Sequence, residues 1–144
     1  MSVQFKPEGY STVTPYLVVE DAGRQIEFLQ QAFGAKEIER TTTPDGRIRH
    51  AEMRVYDCVI MLGQSSAESK ALPCAHYVYV TNTDGVYRAA LAAGATSIME
   101  PSDHFYGDRN AGVRDPLGNL WWIATHIEDV SPDEIARRAA QGAK

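Results

Sequence analysis

The chain is short of positive charge, of cysteine and of long apolar runs, and each shortage removes a class of function. Its 19 Asp and Glu outnumber its 14 Lys and Arg, for a net charge of −5. With no basic run either, nucleic acid is not an expected partner. No wholly apolar run exceeds the five residues of Cys58 to Leu62. A helix spanning a bilayer needs ~20 such residues, so no membrane partner is expected. The two cysteines, Cys58 and Cys74, form neither a metal spacing nor a disulfide framework. Cys58, inside an apolar run, reads as a small core residue. The first residues, Met-Ser-Val-Gln-Phe-Lys-Pro, hold no apolar signal region, and a cytoplasmic protein with free thiols is the expectation. A Ser-His-Asp arrangement, a phosphate loop and a dinucleotide fingerprint are all missing.

What is present is a pattern that occurs twice within 144 residues. Residues 1–11 form an arm interrupted by Pro7 and Gly9. Val13 to Val19, rich in β-branched residues, predicts a strand, with Pro15 at an edge or bulge. Asp21 caps a helix to about Phe33, whose stripe is Ala22, Ile26, Leu29 and Phe33, and Gly34 fits its C-terminal stop. Lys36 to Thr42 is a polar strand, and Pro44-Asp45-Gly46 a turn. From Arg49 to Tyr56 the chain alternates, with Ala51, Met53 and Val55 on one face and His50, Glu52 and Arg54 on the other. Cys58 to Leu62 is a short buried strand. After a Ser-rich stretch ending at Pro73 the order returns: a strand from His76 to Val80, then a helix capped by Asn82, Thr83 or Asp84 and closed by Gly94. A strand from Ser97 to Glu100 follows, then a hairpin of Ala111–Arg114 and Leu120–Thr125 turned by Asp115-Pro116-Leu117-Gly118. Phe33-Gly34-Ala35 matches Ala93-Gly94-Ala95, His50 to Arg54 matches Asn110 to Arg114, and Met61 matches Trp122, at offsets of about 60 residues. The expected fold class is α+β: two βαβββ modules, residues 12–64 and 75–127, joined by a 65–74 linker. Their sheets would form a curved mixed sheet around a cleft, with the helices outside. Residues 128–144 add a helix capped by Ser131, with Pro132 at its first position and Glu134 completing a capping box. The whole is expected to be one structural domain.

Several motifs carry a family likeness. Val13-Thr14-Pro15-Tyr16-Leu17, Pro44-Asp45-Gly46-Arg47, His50-Ala51-Glu52, Phe105-Tyr106-Gly107-Asp108-Arg109, Asp115-Pro116-Leu117-Gly118-Asn119 and Thr125-His126 resemble the vicinal oxygen chelate superfamily. That superfamily holds glyoxalase I, bleomycin-resistance proteins and extradiol dioxygenases, and the likeness is to its PhnB-like branch. The resemblance implies the glyoxalase/bleomycin-resistance fold and a homodimer. Metal-dependent members take ligands from the first and last strands of each module. Those places fall at Thr14 or Pro15, Met61, His76 and Trp122, of which only His76 is a usual ligand. The resemblance therefore implies no metal cofactor. The function expected is metal-independent binding of a small aromatic or anionic molecule in the cleft. An alternative is a metal-dependent lyase, isomerase or dioxygenase holding Zn, Ni, Mn or Fe on His50, Glu52 and His76, which are then the catalytic candidates. A structural dimer without ligand is a third option.

The expected ligand-binding residues are Trp122, Tyr106, Arg109, His76 and Met61. Trp121 and Trp122 are adjacent in a strand and point to opposite faces. By the repeat, Trp122 takes the cleft side as a stacking wall and Trp121 packs under a helix. Tyr106 and Arg109 would grip an aromatic or anionic group, with Asp108 orienting Arg109. For Asp108 the plainer reading is a local turn and ion pair. His104 and His126 read as surface or loop-supporting residues.

Overall fold

The computed structural model describes residues 2–142; Met1 and the last two residues of the 128–144 segment lie outside the described residues. The chain divides into two compact units, Met1–Cys74 and Ala75–Lys144. The first holds β1 (Tyr16–Val19), α1 (Ala22–Phe33), β2 (Lys36–Thr42), β3 (Ile48–Val55) and β4 (Cys58–Gln64). The second holds β5 (Ala75–Tyr79), α2 (Thr83–Ala92), β6 (Thr96–Asp103), β7 (Asp108–Arg114), β8 (Leu120–His126) and α3 (Pro132–Ala140). Each builds one four-stranded sheet, β1-β4-β3-β2 and β5-β8-β7-β6. In each sheet the first strand runs parallel to the last and the other pairings are antiparallel. This is the α+β architecture of two βαβββ modules that the repeat predicts. No helix among the described residues is long and apolar enough to cross a membrane.

The helices form where caps and apolar stripes coincide. The Asp21 side chain accepts the Arg24 N–H at the start of α1, and Gly34 ends it in the left-handed region at φ 69°. Ile26, Leu29 and Phe33 are buried on one side of α1, and Leu17, Ala51, Met53 and Leu62 are buried in the sheet that it covers. Each such side chain contributes roughly 1.5–3 kcal/mol on leaving water. Of the three cap candidates for α2, Asn82 performs the role, accepting the Gly85 N–H. In α3 the Ser131 hydroxyl accepts from the Glu134 N–H, while Arg138 binds the Phe105 carbonyl at 2.8 Å and Glu128 at 3.0 Å.

Two strand starts and the linker refine the sequence reading, for physical reasons. β1 starts at Tyr16, because Pro15 has no N–H to give the ladder. The linker is not loose: the Leu72 N–H donates to the Val18 carbonyl at 3.1 Å, capping the open edge of β1. β7 starts at Asp108 instead of Ala111, since the Tyr106-Gly107 group is itself the hairpin turn. There the Gly107 N–H reaches the His104 carbonyl and Gly107 sits at φ 100°. A Cβ on Gly107 would fall 2.2 Å from the Glu128 carbonyl oxygen, so only glycine fits.

Candidate functional site

Alternation sorts the second sheet into two faces. Arg109 turns towards α2, where its guanidinium forks onto Asp84 at 2.7 and 3.0 Å and also reaches Asp103 at 3.0 Å. Ala111 and Val113 share that face with their partners Ile123 and Trp121. Asp108, Asn110 and Gly112 therefore face away from α2, beside His126, Ala124 and Trp122. Parallel pairing of β5 with β8 adds Tyr77 opposite Trp122 and Tyr79 opposite Ala124 to this second face.

A buried carboxylate organises the face turned from α2. Asp108 is 4% exposed. Its Oδ2 accepts the Tyr77 hydroxyl at 2.6 Å and the Tyr79 hydroxyl at 3.1 Å, and its Oδ1 meets His126 Nδ1 at 2.9 Å. His126 Nε2 meets Asp129 at 2.8 Å. Burial pushes the Asp108 carboxyl up, but the bonds from Tyr77, His126 and Tyr79 outweigh it and hold it below the usual range. Burial, then the bond to Asp108, raises the Tyr77 phenol, which stays a neutral donor at ordinary pH. The carboxylates of Asp108 and Asp129 raise His126 above the ordinary imidazole value. Asn110 donates to the hydroxyls of Tyr77 and Tyr106 at 3.2 and 3.1 Å, and the Tyr106 ring stacks on His104. Trp122 lies across Gly112: a Cβ there would come 2.3 Å from the indole Cζ3. Four partly or well exposed aromatic rings, those of Tyr77, Tyr79, Tyr106 and Trp122, thus belong to one hydrogen-bonded face.

The first sheet carries a different set. Tyr16, Met61 and Glu52 stand side by side on β1, β4 and β3. Glu52 is buried; one oxygen accepts the Tyr10 hydroxyl from the arm, and the other lies 2.8 Å from His50 Nε2. His50 Nδ1 lies 3.2 Å from the Tyr16 hydroxyl. Burial raises Glu52, but the bonds to His50 and Tyr10 outweigh it and hold the carboxyl low. A bulge on β2 sets Glu37 opposite Met53 but Glu39 opposite Glu52. Ligating atoms of Glu39, His50 and Glu52 lie within 4.8 Å of one another, which makes these three the residues of the first sheet that could share a metal ion.

The structure thus brings together Tyr106 and Trp122, and separately His50 and Glu52, with Met61 beside Glu52. It corrects two placements. His76 pairs with Trp121, stacks on that ring at 4.4 Å and faces the α2 side; burial lowers its pKa. It does not share a face with Trp122. Arg109 is not oriented by Asp108, because neighbours in a strand point to opposite faces. The family's ligand places shift as well: Tyr16, not Thr14 or Pro15, stands beside Met61, and Tyr77, not His76, beside Trp122. A protonated phenol, an indole and a soft thioether do not suit a hard or borderline divalent ion.

The sequence reading missed Tyr10, Tyr16, Glu39, Tyr77, Tyr79 and the role of His126. Only Tyr77 and Tyr79, two apart in a strand, carried a legible sign. Trp121 confirms its expected place: it is 2% exposed, and its indole N–H donates to Asp115 at 2.9 Å. The same carboxylate accepts the N–H groups of Leu117 and Asn119, so Asp115 holds the turn.

Comparison with known proteins agrees with the fold. Residues 11–123 match the Glyoxalase/Bleomycin resistance protein/Dioxygenase superfamily. An uncharacterised protein of Mycobacterium bovis is 34% identical, across 99% of this chain and 99% of its own. The structure is similar to TioX from Micromonospora sp. ML1, with a TM-score of 0.69, 26% identity, and coverage of 81% of this chain and 99% of that one. It is also similar to the PhnB protein of Bacillus cereus, with a TM-score of 0.65, 16% identity, and coverage of 80% and 99%. The chain belongs to the Glyoxalase/Bleomycin resistance protein/Dioxygenase superfamily.

Proposed function

We propose that this superfamily member binds a small aromatic molecule on the face of β5, β8 and β7 turned away from α2, and that recognition there uses no metal ion. One observation carries the reading: Tyr77, Tyr79, Tyr106 and Trp122 share a face, with the tyrosine hydroxyls fixed through Asp108 and Asn110. Rings already held lose little conformational freedom when a ligand arrives. Each well-placed ring pair adds about 0.5–1.5 kcal/mol beyond the area it buries. The anionic half of the expectation loses its support, because Asp84 and Asp103 occupy the Arg109 guanidinium and the low-pKa Asp108 repels negative charge. Neutral or cationic aromatics remain. The competing lyase, isomerase or dioxygenase reading loses His76 to the α2 side and keeps His50 and Glu52. A homodimer is retained as part of the proposal, to be checked by light scattering.

The test is a tryptophan-fluorescence titration with neutral and cationic bicyclic aromatics in EDTA. The account expects saturable binding, weakened at least about tenfold by Trp122→Ala. Absence of saturable binding across the panel favours the ligand-free structural dimer, and equal binding by the variant overturns the proposed face.

A further inference from the structure

We infer that the first module binds one divalent first-row transition-metal ion through Glu39, His50 and Glu52, independently of the aromatic face of the second module. One imidazole and two carboxylates are a donor set for Zn, Mn, Fe or Ni. His50 Nε2 and Glu52 Oε2 are 2.8 Å apart. Neighbouring ligands each ~2.1 Å from one ion stand ~3 Å apart, so this pair needs little movement. Glu39 is exposed on the edge strand β2, and rotation of its side chain supplies the remaining adjustment.

The backbone sets the two carboxylates face to face. A regular ladder continuing from Glu37 and Met53 would set Ile38 opposite Glu52. The bulge spends one extra residue and sets Glu39 there instead. Bulges are a common device for re-aiming a side chain. Two like charges directly opposite repel, and among the described residues no Lys or Arg forms an ion pair with Glu39. A divalent cation turns that repulsion into shared ligation. The neighbours suit the role. The Tyr16 hydroxyl can accept the Nδ1 proton of His50, which frees the Nε2 lone pair, and Tyr10 steadies the other oxygen of Glu52. The second sheet has the same kind of bulge after Ser97, which sets Met99 opposite Gly112, so the bulge belongs to both modules and the ligating residues are particular to the first.

Isothermal titration of the tag-free full-length protein with Zn2+ tests the site, and the visible absorption of bound Co2+ gives a second readout. The expected result is one saturable equivalent, weakened at least about tenfold by Glu39→Gln and abolished by His50→Ala, while Trp122→Ala titrates like the wild type. Circular dichroism checks each variant's fold, and Glu39, exposed at an edge, is the substitution least able to disturb it. No saturable equivalent, or one that survives either substitution unchanged, overturns the inference. Aromatic binding without Zn2+ binding sinks only the metal site, and Zn2+ binding without aromatic binding sinks only the proposed function.

Discussion

In the first sheet Glu39 stands opposite Glu52, with Met61 next across the ladder; in the second, past the same kind of bulge, Met99 stands opposite Gly112, with Trp122 next. Tyr16 and Tyr77 occupy matching places on the parallel first strands. Each sheet keeps a buried, low-pKa carboxylate bonded to tyrosine and histidine, Glu52 in one and Asp108 in the other. The difference lies around the carboxylate. Glu52 has a second acid across the strand and a histidine beside it. Asp108 is ringed by phenols, and the sheet nearby gives up a side chain at Gly112 to lay an indole flat. One scaffold thus offers ligating atoms in one copy and aromatic surface in the other, and the divergence needs only a few positions.

The comparison can be broken most sharply at the adjacent tryptophans. Trp121→Ala should cost about 3–5 kcal/mol in denaturant unfolding, since it opens a core cavity and strips Asp115 of a donor. Trp122→Ala should cost no more than about 1 kcal/mol and spend its effect on ligand binding. Equal losses would contradict the assignment of faces. Next comes Gly112→Ala, whose Cβ would displace the indole; a loss of about 1–3 kcal/mol is expected, together with weaker aromatic binding. A variant as stable as wild type and equally able to bind would show that Trp122 does not lie where the account needs it.

Smaller effects sharpen the contrast. Without metal, Glu39→Gln should raise the melting temperature slightly, worth about 0.2–1 kcal/mol, because it removes a like-charge pair. A fall would mean that Glu39 stabilises the edge strand in another way. The least effect concerns His126. Its pKa is raised in the folded chain, so its contacts with Asp108 and Asp129 contribute fully below the ordinary value of 6.5 and fade as pH climbs through the raised value. Wild-type melting should therefore drop modestly as pH rises above the ordinary imidazole value of 6.5, and less in His126→Gln. Parallel curves for the two proteins would remove His126 from the network.

Much of the fold was legible because two periods and a few caps determine it. The stripe of Ala22, Ile26, Leu29 and Phe33, with Asp21 before it and Gly34 after, specifies α1 alone. Alternation separates Trp121 from Trp122 and joins His50 to Glu52. The site was less legible because register decides it. A one-residue slip flips every side chain of a strand, and nothing in His76-Tyr77 tells which residue pairs with Trp122. The bulge that delivers Glu39 leaves no mark in Glu37-Ile38-Glu39, which alternates like a regular strand. Asp108 was hidden by its neighbour: Arg109 looks like its partner until β7 is extended to Asp108 and the two part to opposite faces.

The most direct test follows the two indole N–H signals by NMR while a bicyclic aromatic is added in EDTA. The Trp121 N–H is buried on Asp115, and Trp122 lies partly exposed over Gly112. The account predicts that the Trp122 signal moves and saturates while the Trp121 signal stays still, with no metal required. Movement of Trp121 alone, or of neither signal, or movement of Trp122 only after metal is restored, would contradict it.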